Sequence, residues 1–165
     1  MARALILGCG CRGRLLGKEL LGQGWAVRGT SRREEGLTPI AAAGIEPARA
    51  DLDRVGTVLE HVADVAVVYV LLGSATGDPE AVAELHRLRL ERLLEKLVDT
   101  PVRGVVYEAV GSVDAAVLAD GAELVRAAER TWRIPVRVVG EEQSDHGLWS
   151  QKMGKLALDL LSPAA

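Results

Sequence analysis

The sequence predicts a doubly wound α/β domain, a parallel sheet covered by helices on both faces. Three observations predict it. Short Val/Ile-rich runs recur along the chain and are continuously apolar rather than alternating, as strands buried on both faces must be. Amphipathic stretches of helical period separate them, so the rhythm is strand, helix, strand, helix. No internal repeat, low-complexity tract or linker interrupts that rhythm, so residues 1–165 read as one domain.

The strands expected in order are Ala4–Leu7, Ala26–Gly29, Ile45–Ala48, Val65–Leu71, Gly104–Tyr107 and Val136–Val139. The helices expected between them are Gly13–Gln23, Glu34–Ala43, Asp53–His61, Pro79–Val98 and Ala122–Trp132, with a last one over Leu148–Leu161. Gly24, Gly44 and Gly104 fall in connections, where helices end. The strand order expected for such a chain is 3-2-1-4-5-6.

Bulk properties exclude several function classes. The formal net charge of -3 and the interspersed basic and acidic residues argue against a nucleic-acid partner. The longest apolar run, Val65 to Leu72, is far too short to span a bilayer. The first, Ala4 to Leu7, runs straight into glycines, unlike a secretory leader. The two cysteines, Cys9 and Cys11, are too close for a disulfide framework, so a reducing, cytoplasmic compartment is expected. Asn is absent, Gln is scarce and Arg outnumbers Lys, which fits a thermophile or simply a GC-rich genome.

The first strand leads into Gly8-Cys9-Gly10-Cys11-Arg12-Gly13, three glycines at GxGxxG spacing, and a helical pattern follows through Leu15, Leu16, Leu20 and Leu21. The spacing alone is weak, but strand before and helix after make it the turn of a Rossmann-type dinucleotide site. Gly8 permits the tight turn, Gly10 lets a pyrophosphate approach the backbone, and Gly13 lets the helix pack on the strand. The helix N-terminus offers free N–H groups and partial positive charge. Cys11 and Arg12 line this turn, and Arg12 offers the phosphates a cation.

The end of the second strand chooses between cofactors. An NAD site carries Asp or Glu there, about 20 residues past the glycines, to accept from the ribose hydroxyls. Here the chain has Thr30-Ser31-Arg32-Arg33, with no carboxylate before Glu34. Hydroxyls and guanidiniums suit a 2′-phosphate, so NADP(H) is expected over NAD(H).

Gly8-x-Gly10-x-x-Gly13, then Gly29-Thr30-Ser31-Arg32, then Ala50-Asp51-Leu52 resemble the cofactor half of atypical or extended short-chain dehydrogenase/reductases, the NAD(P)-dependent epimerase/dehydratase-like proteins. The resemblance implies that Asp51 and Leu52 contact the adenine and that Leu71-Leu72-Gly73 passes the adenosine ribose, with Leu72 and Gly73 at the site. The helix through Glu123–Glu129 and the strand after Ile134-Pro135 resemble later parts of the same half.

The catalytic half of the family pattern is missing. Those reductases pair Tyr with Lys four residues on, but Tyr69 and Tyr107 are followed at that spacing by Gly73 and Gly111. The family's Ser/Thr after the fifth strand leaves only Ser112 nearby, and no Asn exists to complete a proton relay.

Four other residues are candidates for chemistry. Glu108 directly follows the fifth strand, where strand ends face the ligand crevice, and a carboxylate there suits acid/base work; the plain alternative is a salt-bridged glutamate. His146 lies in the polar 140–147 segment, beside Asp145 and near Glu141, as an acid/base candidate or a surface residue. Cys9 and Cys11 make half a tetrahedral zinc site at most, so no metal is expected; they read as small loop fillers or as a redox switch.

Two apolar stripes mark the fourth helical segment, Val82, Leu85, Leu88 and then Leu90, Leu93, Leu94, Leu97, so either one covers the sheet while the other meets a homodimer partner, or both pack as one wide stripe within the monomer. The final helix, with Trp149, Met153, Leu156, Leu160 and Leu161, caps the sheet edge or meets the same partner. Three functional expectations stay open: a minimal NADP-dependent oxidoreductase acting on a small-molecule substrate, a non-catalytic dinucleotide sensor or subunit, and the fold with no dinucleotide at all.

Overall fold

In a computed structural model of the chain, residues 2–162 are described. Six strands form one parallel sheet: β1 (Arg3–Leu7), β2 (Ala26–Ser31), β3 (Glu46–Arg49), β4 (Val67–Val70), β5 (Gly104–Glu108) and β6 (Val136–Val139). Their spatial order is β3-β2-β1-β4-β5-β6, as the alternating pattern predicts. The connections are α1 (Cys11–Gly22), a 3-10 turn (Glu34–Gly36) running into α2 (Leu37–Ala42), α3 (Val55–Leu59), α4 (Pro79–Leu85), α5 (Leu88–Leu97) and α6 (Ala115–Trp132), and α7 (His146–Leu161) follows β6.

The period of two along each strand builds two cores. Leu5, Leu7, Val68, Val70, Val105 and Tyr107 face one side, where they meet Val58 of α3, Leu90 and Leu94 of α5, and Val125 of α6. Ala4, Ile6, Val67, Tyr69 and Val106 face the other, against Leu16 and Leu20 of α1, Ile40 of α2, and Trp149 and Met153 of α7. The same alternation turns Glu108, last residue of β5, toward α1 and α7. That placement carries most of the chemistry described below.

Several expected boundaries move. The single helix expected over Pro79–Val98 is two, broken at His86 and Arg87, where Arg87 takes φ -120 and ψ -98. The cause is the His86 ring, which is fully buried and hydrogen-bonded across the core rather than exposed on a helix face. Of the two stripes, Leu90, Leu93, Leu94 and Leu97 are buried within the chain, as are Val82 and Leu85, while Leu88 is 65% exposed. The last helix is likewise consumed internally, packed on α1 and on the β5–β6 end of the sheet. α6 starts at Ala115, well before the expected Ala122, because Asp114 caps it by accepting from the Ala116 N–H at 2.8 Å. The helix expected over Asp53–His61 shortens to Val55–Leu59.

A cleft at the strand ends

β1 and β4 lead their connections to opposite faces of the sheet, and a crevice opens between them at the C-terminal strand ends. The cleft there has a volume of about 500 Å³. One wall is the glycine turn and the first turn of α1; the opposite wall is the strap after β4, from Leu71 to Thr76. Arg32 and Asp51 stand at one end and Glu108 at another part of the lining.

Each glycine of the turn has its own physical reason. Gly8 sits at φ +78, and a Cβ there would lie 2.5 Å from the Leu71 carbonyl oxygen. At Gly13 a Cβ would meet the Gly8 carbonyl oxygen at 3.2 Å, so the missing side chain lets α1 approach β1. Gly10 is different: a Cβ there would meet nothing within 4 Å, so its absence leaves backbone open to the cleft. Gly10 is also the N-cap of α1 and offers no side chain to its free N–H groups, and the first helical turn holds no acidic residue. The turn is braced from β2: Thr30 Oγ1 accepts from Gly8 N at 3.3 Å, and Thr30 O accepts from Cys9 N at 3.0 Å.

The basic turn after β2 divides its duties. Thr30 is buried and occupied with the glycine turn. Ser31 Oγ donates to Arg33 O at 2.7 Å and accepts from Arg33 N at 3.1 Å, so this hydroxyl shapes the turn. Arg32 reaches across the cleft and donates to the Thr76 carbonyl at 3.0 Å. Among the described residues no carboxylate pairs with it. Arg33 is exposed and does not line the cleft. Asp51 does line it; one carboxylate oxygen accepts from the Asp53 N–H at 2.9 Å, and Leu52 beside it is buried. Leu72 lines the cleft, whereas Gly73 lies behind it, pressed against the Val110 carbonyl.

Glu108 is 5% exposed. One of its oxygens accepts from the Trp149 indole N–H at 2.9 Å and from Arg12 at 3.1 Å; the other accepts from Arg12 at 3.4 Å. The Arg12 guanidinium also lies 4.1 Å from the centroid of the Trp149 ring. Burial pushes the Glu108 carboxyl above the ordinary glutamate range, and Arg12 and the indole offset this only in part. Arg12 is therefore engaged with Glu108 rather than free, as the sequence alone had it; its buried Nε has no hydrogen-bond partner.

Of the other sequence candidates, Ser112 and His146 are not brought to the cleft, whereas Cys9 and Cys11 line it. Ser112 is exposed, and its N–H donates to Ser74 Oγ at 3.2 Å. His146 is exposed at the start of α7, and neighbouring Asp145 caps that helix by accepting from the Leu148 N–H at 2.9 Å instead of pairing with the imidazole. Cys9 is buried and its thiol is pushed up to about 12 by burial, the state of an inert packing group. Cys11 is exposed at the cleft and accepts from Arg14 at 3.3 Å. Among the described residues, no three His, Cys, Asp or Glu side chains converge as metal ligands. Both tyrosines are buried and directed elsewhere: Tyr69 OH donates to Met153 O at 2.7 Å, and Tyr107 OH meets His86 at 2.6 Å.

Sequence reasoning missed the roles of Trp149 and of three strap residues. Trp149 was legible as apolar packing but not as the donor to Glu108, a residue 41 positions away. The strap residues Ser74, Ala75 and Thr76 carry no motif and reach the cleft only because β4 ends beside β1.

No sequence-family model and no curated protein sequence matches the chain. Solved structures do. A Bacillus halodurans protein provisionally named an NAD-dependent epimerase/dehydratase superimposes with a TM-score of 0.75 at 16% identity, over 97% of this chain and 89% of that one. UDP-glucuronic acid 4-epimerase from Bacillus cereus, solved with NAD, gives 0.66 at 16% identity over 82% of this chain. Triphenylmethane reductase from Citrobacter sp., complexed with NADP(H), gives 0.65 at 18% identity over 86%. The chain spans about half the length of the latter two, 55% and 50%. The sequence resemblance is thus met by structure: NAD(P)-dependent epimerase/dehydratase-like proteins share the fold over most of this chain.

Proposed function

We propose that the cleft binds a nicotinamide dinucleotide, NADP(H) in preference to NAD(H), and that the chain acts as a minimal oxidoreductase. One observation carries the reading. The uncapped N-terminus of α1, beside the open backbone at Gly10, and the carboxylate-free Arg32 lie on the same cleft. Free helix N–H groups suit a pyrophosphate, and a guanidinium without an acidic partner suits a terminal phosphate. Leu7, Leu71, Leu72 and Leu85 supply apolar wall for the rest of such a ligand. The solved neighbours named with NAD and with NADP(H) support a dinucleotide of either kind, so the preference rests on Arg32 and on the lack of an acid within Thr30–Arg33 at the end of β2.

A bound nicotinamide supplies hydride chemistry, and the protein has to handle the accompanying proton. Glu108 is the carboxyl buried in the cleft wall, and its raised proton affinity suits that task. A second reading is favoured by the two buried tyrosines: with no phenol at the cleft, the site serves as a non-catalytic dinucleotide sensor or subunit.

The preference is tested by comparing Arg32→Ala with Arg33→Ala. Charge-assisted hydrogen bonds are each worth about 1.5–3 kcal/mol, or roughly 10- to 150-fold in affinity. Arg32→Ala is expected to weaken NADPH by that factor while NADH changes little, and Arg33→Ala to leave both nearly unchanged. Equal losses of NADPH and NADH in Arg32→Ala would show that Arg32 does not read the 2′-phosphate.

A further inference from the structure

The Arg12–Glu108 pair spans the two halves of the cleft. Arg12 is the second residue of α1, in the turn whose free N–H groups face the proposed pyrophosphate position, and Glu108 ends β5. Its side chain is 33% exposed against 7% for Glu108, so the guanidinium is the member free to turn. Its contacts to the carboxylate are long, 3.1 and 3.4 Å, and its Nε has no partner. Resting on the dinucleotide reading above, we propose that the ligand's pyrophosphate takes Arg12 away from Glu108 and that Glu108 takes up a proton as a result. Dinucleotide binding thereby loads the cleft with a carboxylic acid.

The surroundings of Glu108 leave little else to hold its charge. From α1 only Arg12 faces it; Arg14 lines the same cleft but donates to Cys11 Sγ. From α7 the neighbour is the neutral Trp149 indole, which can donate to the carbonyl oxygen of a protonated carboxyl as well as to a carboxylate. Across the sheet the register partner is Val139 of β6, and on the other flank β4 ends in Val70. Tyr107 points to the opposite face, toward His86. Once the guanidinium leaves, burial and a nearby phosphate charge both favour the neutral acid. The sign follows: if the bound form holds more protons than the free form, affinity falls as pH rises, by up to tenfold per pH unit across the window.

The proton then has a use. With a reduced dinucleotide, hydride passes to a carbonyl carbon while the Glu108 proton goes to the carbonyl oxygen. The products are an alcohol, an oxidised dinucleotide and a Glu108 carboxylate, to which Arg12 returns once the oxidised dinucleotide leaves.

The test is a calorimetric titration of the full chain with NADPH in two buffers of different ionisation enthalpy, from pH 6 to 8, for wild type and Glu108→Gln. The difference between the two proteins removes the titration of the ligand's own 2′-phosphate. Wild type is expected to take up a substantial fraction of one proton per ligand more than the variant, whose affinity should be flatter with pH. Arg12→Gln, which leaves no pair to break, is expected to lose the extra uptake too and serves if the first variant does not fold. Binding with equal uptake in wild type and variants would overturn the coupling while the dinucleotide reading stands. No binding by wild type would overturn both.

Discussion

Gly8 and Gly10 lie two positions apart in the same motif and should fail in different ways. At Gly8 a Cβ meets backbone in a left-handed conformation, so Gly8→Ala is expected to cost at least about 1–2 kcal/mol. Its melting temperature should fall by roughly 5 °C. At Gly10 a Cβ meets nothing, so Gly10→Ala should melt like wild type yet bind dinucleotide far more weakly, because the methyl group occupies the open backbone. Thermal melts and titrations of the two variants check this; equal binding by Gly10→Ala and wild type would remove that residue from the site. Glu108→Gln addresses the chemistry. General acid catalysis contributes about 10²- to 10⁴-fold, so NADPH oxidation with a carbonyl substrate should fall by that order while cofactor affinity near neutral pH changes far less. Undiminished turnover would exclude Glu108 as the acid. At this scale the glycines were legible because each answers to local backbone geometry. The engagement of Arg12 was not, since a residue on α1 meets one at the end of β5 only after the sheet has formed.

The elements are joined to the cleft by a buried relay centred on the break between α4 and α5. His86 Nε2 lies 2.8 Å from the Leu72 carbonyl, which only accepts, so Nε2 carries the proton and Nδ1 accepts from Tyr107 OH. Gly121 of α6 makes room for that phenol, since a Cβ there would collide with the hydroxyl. Tyr107→Phe leaves His86 Nδ1 without a donor and is expected to cost about 1–3 kcal/mol in urea unfolding. The pH dependence has a definite sign. Burial lowers the His86 pKa, so the folded chain holds a neutral imidazole while the unfolded chain protonates near its ordinary value of about 6.5. The unfolded state then binds more protons below that pH, and stability falls as pH drops through it. His86→Gln should lose less stability than wild type between neutral and mildly acidic pH; an identical slope would contradict a neutral buried His86. This break was illegible in the sequence because Pro79 to Val98 keeps a helical apolar period across it.

On the scale of the molecule, strand order was readable because continuous apolar strands alternating with helices admit few topologies. The cleft's location follows from that order, since β1 and β4 send their connections to opposite faces. The fate of the leucine stripes did not follow, because periodicity marks a buried face without naming what covers it; here the chain's own sheet and helices cover Leu85, Leu90, Leu93, Leu94 and Leu97, while Leu88 stays exposed. The central claim, a dinucleotide in the crevice with Arg32 at its phosphate end, is tested most directly by titrating the full chain with NADPH and then with NADH in a calorimeter. The account predicts roughly micromolar NADPH binding, with NADH weaker by about tenfold or more. If neither ligand binds, the Gly8–Gly13 turn is only the way this fold joins its first strand to its first helix.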